Sequence, residues 1–273
     1  MAYPTIEAPY GLKPINLIGG QVFAGSTREL PITYGYATNI FYGDLVTLVR
    51  GNLERISVTT GVVGTLMGVF LGCSYTNPTT KQKLFSQYWP ASTAAGDAVA
   101  VVCDDPDTVF RAVMVSGTTV VASGARAMIG QNVAAVNNNG NVNTGNSANA
   151  VLADTSLALT AALPIRVVGL VPDTAVSIGT AVYTSIATAT VTMSGLSGTP
   201  MVGCDVGSIA ANGQYIASGS YVASLTNSTT VVLNAAPIVA FVASSTLVFT
   251  QYPEVLVKIN FGLHKYYAGT AVA

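Results

Sequence analysis

Short runs of β-favouring residues, separated by turn residues, constrain the fold of this 273-residue chain more than any other feature. The runs are rich in Val, Thr, Ile and Tyr, which fit the pleated surface of a sheet. Glu and Lys, which favour helices, occur only four and five times. We therefore predict an all-β fold, with strands at 45–49, 69–75, 98–103, 109–115, 165–171, 188–193, 215–225, 229–233, 246–250 and 254–261.

Proline and charge divide the chain into three predicted parts. Residues 1–20 contain Pro4, Pro9 and Pro14, which exclude helix and predict an extended N-terminal arm. Residues 176–250 carry one acidic side chain, Asp205, and no Lys or Arg, unlike the segments on either side. We predict a small β domain at 176–250, inserted into a main β-sandwich or barrel-like domain that spans 21–175 and is completed by 251–273.

Two further segments have distinct patterns. Residues 126–136 are the one stretch that could hold a helix, although Gly130 weakens it. Residues 137–149 read NNNGNVNTGNSAN, a polar sequence with little to bury, which predicts a surface loop.

The low charge of the chain limits the classes of function that it could have. Only 8% of its residues are Asp, Glu, Lys or Arg, against roughly 25% in an ordinary globular domain, which favours a surface covered by neighbouring molecules. The net charge of −1 and scattered cations argue against direct binding to nucleic acid. The longest apolar stretch, 62–73, has 12 residues and three glycines, whereas a membrane-spanning helix needs about 20.

No catalytic pattern is visible in the sequence. His264 is the single histidine, and a lone histidine near a chain end is more often a surface or interface residue than a catalyst. A GxSxG nucleophile motif, a GxGxxG dinucleotide motif and a P-loop are all missing. We expect a protein that is not an enzyme and that uses no cofactor.

The acidic and thiol residues have similarly simple interpretations. Asp104, Asp105 and Asp107 could supply oxygen ligands for calcium, but the spacing is not that of the usual calcium loop. We favour a turn between the strands at 98–103 and 109–115. The three cysteines lie far apart without a CxxC spacing, so we predict buried thiols and neither a metal site nor disulfides.

The N-terminal arm is the predicted interface. Arms of this composition often lie on a neighbouring subunit, and a strand along the same domain is the alternative. The residues predicted to contact a neighbour are Tyr3, Tyr10, Leu12, Pro14 and Ile15.

Several motifs of the predicted main domain resemble a known family. They are YGLKPI at 10–15, RELPI at 28–32, GDLV at 43–46, GVFLG at 68–72, QYWP at 87–90, PIRVVG at 164–169 and VLVKIN at 255–260. In this order they resemble capsid-associated proteins of short-tailed bacteriophages, over about 1–175 and 252–267. A second stretch, GCDV at 203–206 followed by YVASLT at 221–226 and TTVVL at 229–233, is similar to a small β module of phage virion proteins.

The resemblance implies a decoration, or cement, protein. Such proteins sit on the outer capsid surface, often as homotrimers, and clamp neighbouring units of the major capsid protein. This implies synthesis in the bacterial cytoplasm and assembly into the virion. The alternative is a tail or fibre component, although no internal repeat or heptad pattern is visible. A major capsid subunit and an enzyme are weaker alternatives, and no residue supports a contact with host glycans.

Overall fold

The fold is β throughout the part of the chain that the structure describes. The computed structural model describes residues 8–56, 65–115, 128–153, 163–171, 174, 180–183, 188–194, 206–209, 216, 220–227, 229–236, 246–249 and 252–267. These ranges contain strands, turns and a short 3-10 helix at Phe261–Leu263 but no α-helix, which confirms the predicted all-β class. Within them, no helix has the length and apolar character needed to span a membrane.

The described strands are short and numerous, as the sequence predicts. In chain order they are β1 (Lys13–Leu17), β2 (Arg28–Pro31), β3 (Ile40–Phe41), β4 (Leu45–Val49), β5 (Asn52–Arg55), β6 (Gly68–Thr76), β7 (Lys83–Ser86), β8 (Tyr88–Trp89), β9 (Val99–Cys103), β10 (Thr108–Val115), β11 (Asn132–Val133), β12 (Ala135–Val136), β13 (Ala150–Leu152), β14 (Ile165–Leu170), β15 (Thr180–Tyr183), β16 (Thr190–Ser194), β17 (Val206–Ile209), β18 (Val222–Asn227), β19 (Thr230–Leu233), β20 (Thr246–Phe249) and β21 (Glu254–Ile259).

Contacts divide the chain into two compact units. The larger unit comprises Ala8–Thr119, Ala125–Leu170 and Glu254–Ala273, and the smaller consists mainly of Val171–Pro253. The chain leaves the larger unit after β14 and returns to it at β21. These two strands are antiparallel neighbours, with Ile165 opposite Ile259. The smaller unit is therefore inserted between two paired strands of one sheet.

A nearly closed barrel occupies the first half of the larger unit. Its strands follow the order β2-β9-β6-β4-β5, and β7 pairs with the far end of β6. A parallel bridge between Ile32 and Leu53 brings the end of β2 to β5. This bridge joins the two outer strands, so the sheet curls almost into a ring, which confirms the predicted barrel-like architecture.

Two glycines in β6 allow this curvature. The pairing of β6 with β9 shifts register between Phe70 and Gly72, and Gly72 has φ +147°, a conformation that favours glycine. A Cβ at Gly68 would lie 2.2 Å from the carbonyl oxygen of Cys103 on β9. The two strands can approach this closely because Gly68 has no side chain.

The barrel encloses an apolar core. Trp89, contributed by the β3–β8 pair, is fully buried and meets the edge of the Tyr75 ring at 5.3 Å between centroids. Both residues belong to one buried cluster, whose members are Ile32, Ile40, Val46, Leu53, Phe70, Cys73, Tyr75, Trp89, Ala95, Ala98, Ala100 and Val102. Burial of this many apolar side chains supplies the main driving force for folding of the barrel.

A second sheet in the larger unit follows the order β11-β14-β21-β10-β13-β12. Strand β1 pairs with the first half of β10, and β13 runs parallel to its end. In β21, Val255, Val257 and Ile259 are buried and alternate with less buried positions, as expected when one face of a strand packs on a core.

The smaller unit contains an antiparallel sheet of its own, ordered β17-β20-β15-β16-β19-β18. In β16, Val191 and Met193 are buried between exposed threonines, and in β19 Val231 and Leu233 are buried. This alternation explains how a segment with almost no charge still forms a sheet with two distinct faces.

No α-helix forms in the described part of 126–136, the one stretch whose composition could have held a helix. Residues 132–133 and 135–136 form strands β11 and β12, and Asn132, Val133, Ala135 and Val136 are all buried. Pairing with β14 and β13 therefore overrides the weak helical preference of this segment.

We expect Gly68→Ala to destabilise the protein, because its Cβ would overlap the Cys103 carbonyl. The expected loss is about 1–3 kcal/mol in the free energy of unfolding, measured by urea denaturation. Gly96→Ala is the matched control, since a Cβ there meets nothing within 4 Å. Equal losses in the two variants would contradict the steric explanation.

Candidate functional site

Two of the predicted interface residues, Tyr10 and Leu12, are held by contacts within the chain itself. Leu12 is fully buried, and its amide donates to the Gly43 carbonyl at 3.0 Å. The Tyr10 hydroxyl donates to the Glu254 carboxylate, which also pairs with Arg111. Burial, reinforced by the neighbouring carboxylate, raises the pKa of Tyr10.

The remaining predicted interface residues differ in exposure. Pro14 and Ile15 lie on β1, which pairs with β10 of the same unit. Pro14 is half-buried, whereas Ile15 is 39% exposed. Tyr3 lies outside the described residues. Contact with a neighbouring subunit remains a prediction for this segment, and of its described members Ile15 presents the most apolar surface for it.

A buried ion pair joins the barrel to the polar loop at 137–149. Arg55 on β5 places Nε 2.9 Å from Oδ2 of Asp44, whose side chain has no solvent exposure. The same carboxylate accepts a hydrogen bond from the Phe41 amide at 2.8 Å and another from the Ser147 hydroxyl at 2.6 Å. Burial raises the pKa of Asp44, and the Arg55 guanidinium is the largest influence opposing that rise.

The composition of residues 137–149 predicted a surface loop. The structure shows that part of this loop is buried against the barrel. Arg55 Nη2 donates to the Asn138 carbonyl at 2.6 Å and to Asn149 Oδ1 at 3.2 Å. Asn149 is fully buried and Ser147 nearly so. The side chain of Asn149 supplies a hydrogen-bond acceptor that an apolar residue could not offer to a buried guanidinium.

The predicted acidic turn is confirmed in its position. Asp104–Asp107 link β9 of the barrel to β10 of the second sheet, and the Asp107 amide donates to Asp105 Oδ1 at 2.9 Å. Asp104 lies 3.0 Å from Arg28 Nε, and Asp107 lies 3.2 Å from Lys258 Nζ. Among the described residues no cluster of His, Cys, Asp and Glu is arranged to hold a metal ion.

His264 is buried rather than exposed, contrary to the expectation from its position near the chain end. Its backbone forms a parallel bridge with Leu66, and the next amide, of Lys265, donates to the Leu66 carbonyl at 2.7 Å. Nδ1 of His264 accepts a hydrogen bond from the Tyr266 amide at 3.3 Å. Burial lowers the pKa of His264, opposed mainly by a hydrogen bond with the Asp104 backbone.

The residues around His264 form an exposed surface that the sequence reasoning missed. We call Arg28, Phe261, Tyr266 and Tyr267 the C-terminal aromatic surface. Phe261 stacks on Tyr267 at 3.9 Å between ring centroids, and the Arg28 guanidinium lies 5.2 Å from the Tyr266 ring. The Tyr266 hydroxyl donates to Asp104. Three aromatics within the seven residues 261–267 are the signal that could have indicated it.

The four side chains of this surface are substantially exposed, although their positions are fixed by contacts. Phe261, Tyr266 and Tyr267 expose 53%, 43% and 48% of their area, and the Arg28 side chain exposes 57%. Fixed aromatic groups beside an arginine are typical of the residues that dominate protein interfaces. This surface and the edge strand β7, whose Phe85 side chain is 86% exposed, are the candidate functional sites.

We expect Asp44→Asn to destabilise the protein by about 3–5 kcal/mol, because it leaves the Arg55 guanidinium buried without its counterion. Urea denaturation measures the loss. Asp97→Asn is the matched control, since the exposed Lys83–Asp97 pair has the same 2.9 Å separation. The control should lose much less stability. A similar loss in both variants would show that burial does not govern the effect.

The buried histidine predicts a pH dependence of stability. Because burial holds the folded pKa of His264 below the ordinary value of 6.5, the unfolded chain binds a proton more readily between these two pKa values. Stability is therefore greatest above about pH 6.5 and is lost as the pH falls through the folded pKa. His264 is the single histidine, so thermal unfolding of His264→Asn between pH 5 and 7 should show a flatter profile. An unchanged slope would assign the dependence to other groups.

Comparisons with known proteins identify no relative of this chain. No protein-family model, no curated protein and no solved structure matches it. Its function is therefore inferred from its own residues and contacts.

Proposed function

We propose that the protein is a structural component of a bacteriophage virion. It decorates the outer surface of the capsid and stabilises the shell by bridging neighbouring capsomers, as a homotrimer bound to the major capsid protein. The observation that carries this proposal is the exposure of large apolar side chains on the larger unit, most of all on its edge strand β7. The resemblance of the motifs at 10–15, 28–32, 43–46, 68–72, 87–90, 164–169 and 255–260 to capsid-associated proteins supports it.

The clearest case is Phe85 on β7. This side chain is 86% exposed, and β7 pairs with β6 on one side but with no other strand of the described residues. Val22 and Tyr34 are 81% and 67% exposed. An uncovered edge strand with a protruding aromatic ring favours association with another chain. In a decoration protein, a neighbouring subunit or a capsomer would cover these groups.

The larger unit also has features that suit a clamp. The barrel, its glycine-dependent curvature and the Asp44–Arg55 pair fix the strands that carry the exposed side chains. A rigid element loses little conformational entropy when it binds. Repeated over the shell, many modest contacts of such an element would give a strong combined attachment.

We expect the protein to be present in purified particles at a copy number close to that of the major shell protein, and Phe85→Ser to lower this occupancy because it removes an apolar contact. Quantitative gel densitometry or mass spectrometry of particles measures the ratio. Val142→Ser is the control, since Val142 is 52% exposed but lies in the loop at 137–149.

The copy number separates this function from its alternatives. A handful of copies per particle would identify a tail or fibre component instead. Absence from particles would overturn the structural role altogether. In solution, light scattering should give about three times the 27.9 kDa mass of one chain.

A further inference from the structure

The C-terminal aromatic surface has the composition of a binding site for an extended, proline-containing peptide. Phe261 and Tyr267 form a stacked pair, and Tyr266 is fixed between Asp104 and Arg28. Proline-rich segments dock on such exposed aromatic rings, because a preformed extended chain loses little entropy on binding. This surface could therefore hold a partner without rearranging.

We propose that the C-terminal aromatic surface of one copy binds residues 1–9 of a neighbouring copy. This inference rests on the proposed function as a self-associating capsid protein and names the contact between its copies. Residues 1–9 read MAYPTIEAP, with Pro4 and Pro9 on either side of Ile6 and Glu7. Prolines and tyrosines supply groups that can pack on aromatic rings, and prolines in general favour extended chain.

Charge is complementary between segment and surface. Glu7 is the one charged side chain among residues 1–9. The surface carries the half-exposed guanidinium of Arg28, and Lys265, which is also exposed, lies between His264 and Tyr266. Nε of Arg28 faces Asp104, and a guanidinium has four further N–H donors that can bind a carboxylate. Glu7 thus has a partner of opposite charge on this surface.

The length of the segment limits how far it can reach. Seven residues precede Ala8, and Ala8 is exposed. The chain is held to the larger unit at Gly11, whose amide donates to the Asn149 carbonyl at 3.1 Å. An extended proline-containing chain rises about 3.1 Å per residue, so seven residues span about 22 Å. A fully extended segment could therefore contact a second copy only within about this distance of Ala8.

Disulfide cross-linking between two differently substituted copies tests the proposal. One copy carries Thr5→Cys and the other Gly262→Cys, both in a Cys204→Ser background. Gly262 is exposed and has open space for a side chain. The Gly262→Cys substitution also leaves the aromatic residues of the surface unchanged. The native Cys73 and Cys103 are buried. When the two variants are mixed and oxidised, they should form a cross-linked dimer about tenfold faster than a control pair. Binding of the segment to the surface raises the effective concentration of one thiol near the other.

The control pair combines Thr5→Cys with Gly96→Cys, whose site is equally open. Tyr267→Ala added to the Gly262→Cys copy should reduce the cross-linking rate to that of the control. Equal rates for the two pairs would overturn the inference. So would a Thr5→Cys, Gly262→Cys double variant that closes its disulfide within one chain at high dilution.

A failure of the cross-linking experiment can be distinguished from a failure of the proposed function. If the protein is trimeric and abundant on particles but the specific cross-link does not form, only the inference about residues 1–9 is wrong. If the protein is monomeric and absent from particles, the proposed function fails as well.

Discussion

A carboxylate without contact to solvent is stable only when polar or charged donors replace its lost water. Asp44 has three such donors, a guanidinium, a backbone amide and a hydroxyl, on three separate segments. Arg55 comes from β5, Phe41 from β3, and Ser147 from the polar loop at 137–149. Because an unpaired buried charge would be costly, these segments must come together for any of them to be stable. The pair therefore links the barrel to the loop at 137–149.

Closure of the barrel determines which groups stay outside it. The bulge at Gly72 and the close approach at Gly68 curl β6, so that its first half pairs with β4 and its second half with β7 on the same edge. Strand β7 consequently ends the sheet and presents Phe85 to solvent. The curvature of β6 therefore both closes the barrel around its core and leaves Phe85 on β7 exposed.

The local sequence predicted those strands whose own residues are sufficient to favour a β conformation. Strand β4 matches its predicted limits, and β10 differs by one residue, because each is a run of β-favouring residues. The burial of Asn149 and His264 was not predictable, since their partners Arg55 and Leu66 lie far away in sequence. The strands at 132–136, in a stretch that could have held a helix, were not predictable for the same reason: they exist through pairing with β14 and β13. The C-terminal aromatic surface depends equally on Arg28 and Asp104, which no local pattern associates with residues 261–267.

The insertion of Val171–Pro253 between β14 and β21 has a consequence for biosynthesis. Strand β21 lies between β14 and β10 in the sheet, yet the ribosome makes it only after the whole inserted unit. Contacts with such a large sequence separation give a high contact order, which slows folding. While the smaller unit is being synthesised, β10 and β14 lack the strand that joins them, and their backbone groups are open to premature pairing with other nascent chains. Chaperone binding during this interval, before β21 emerges, would protect the two unpaired edges.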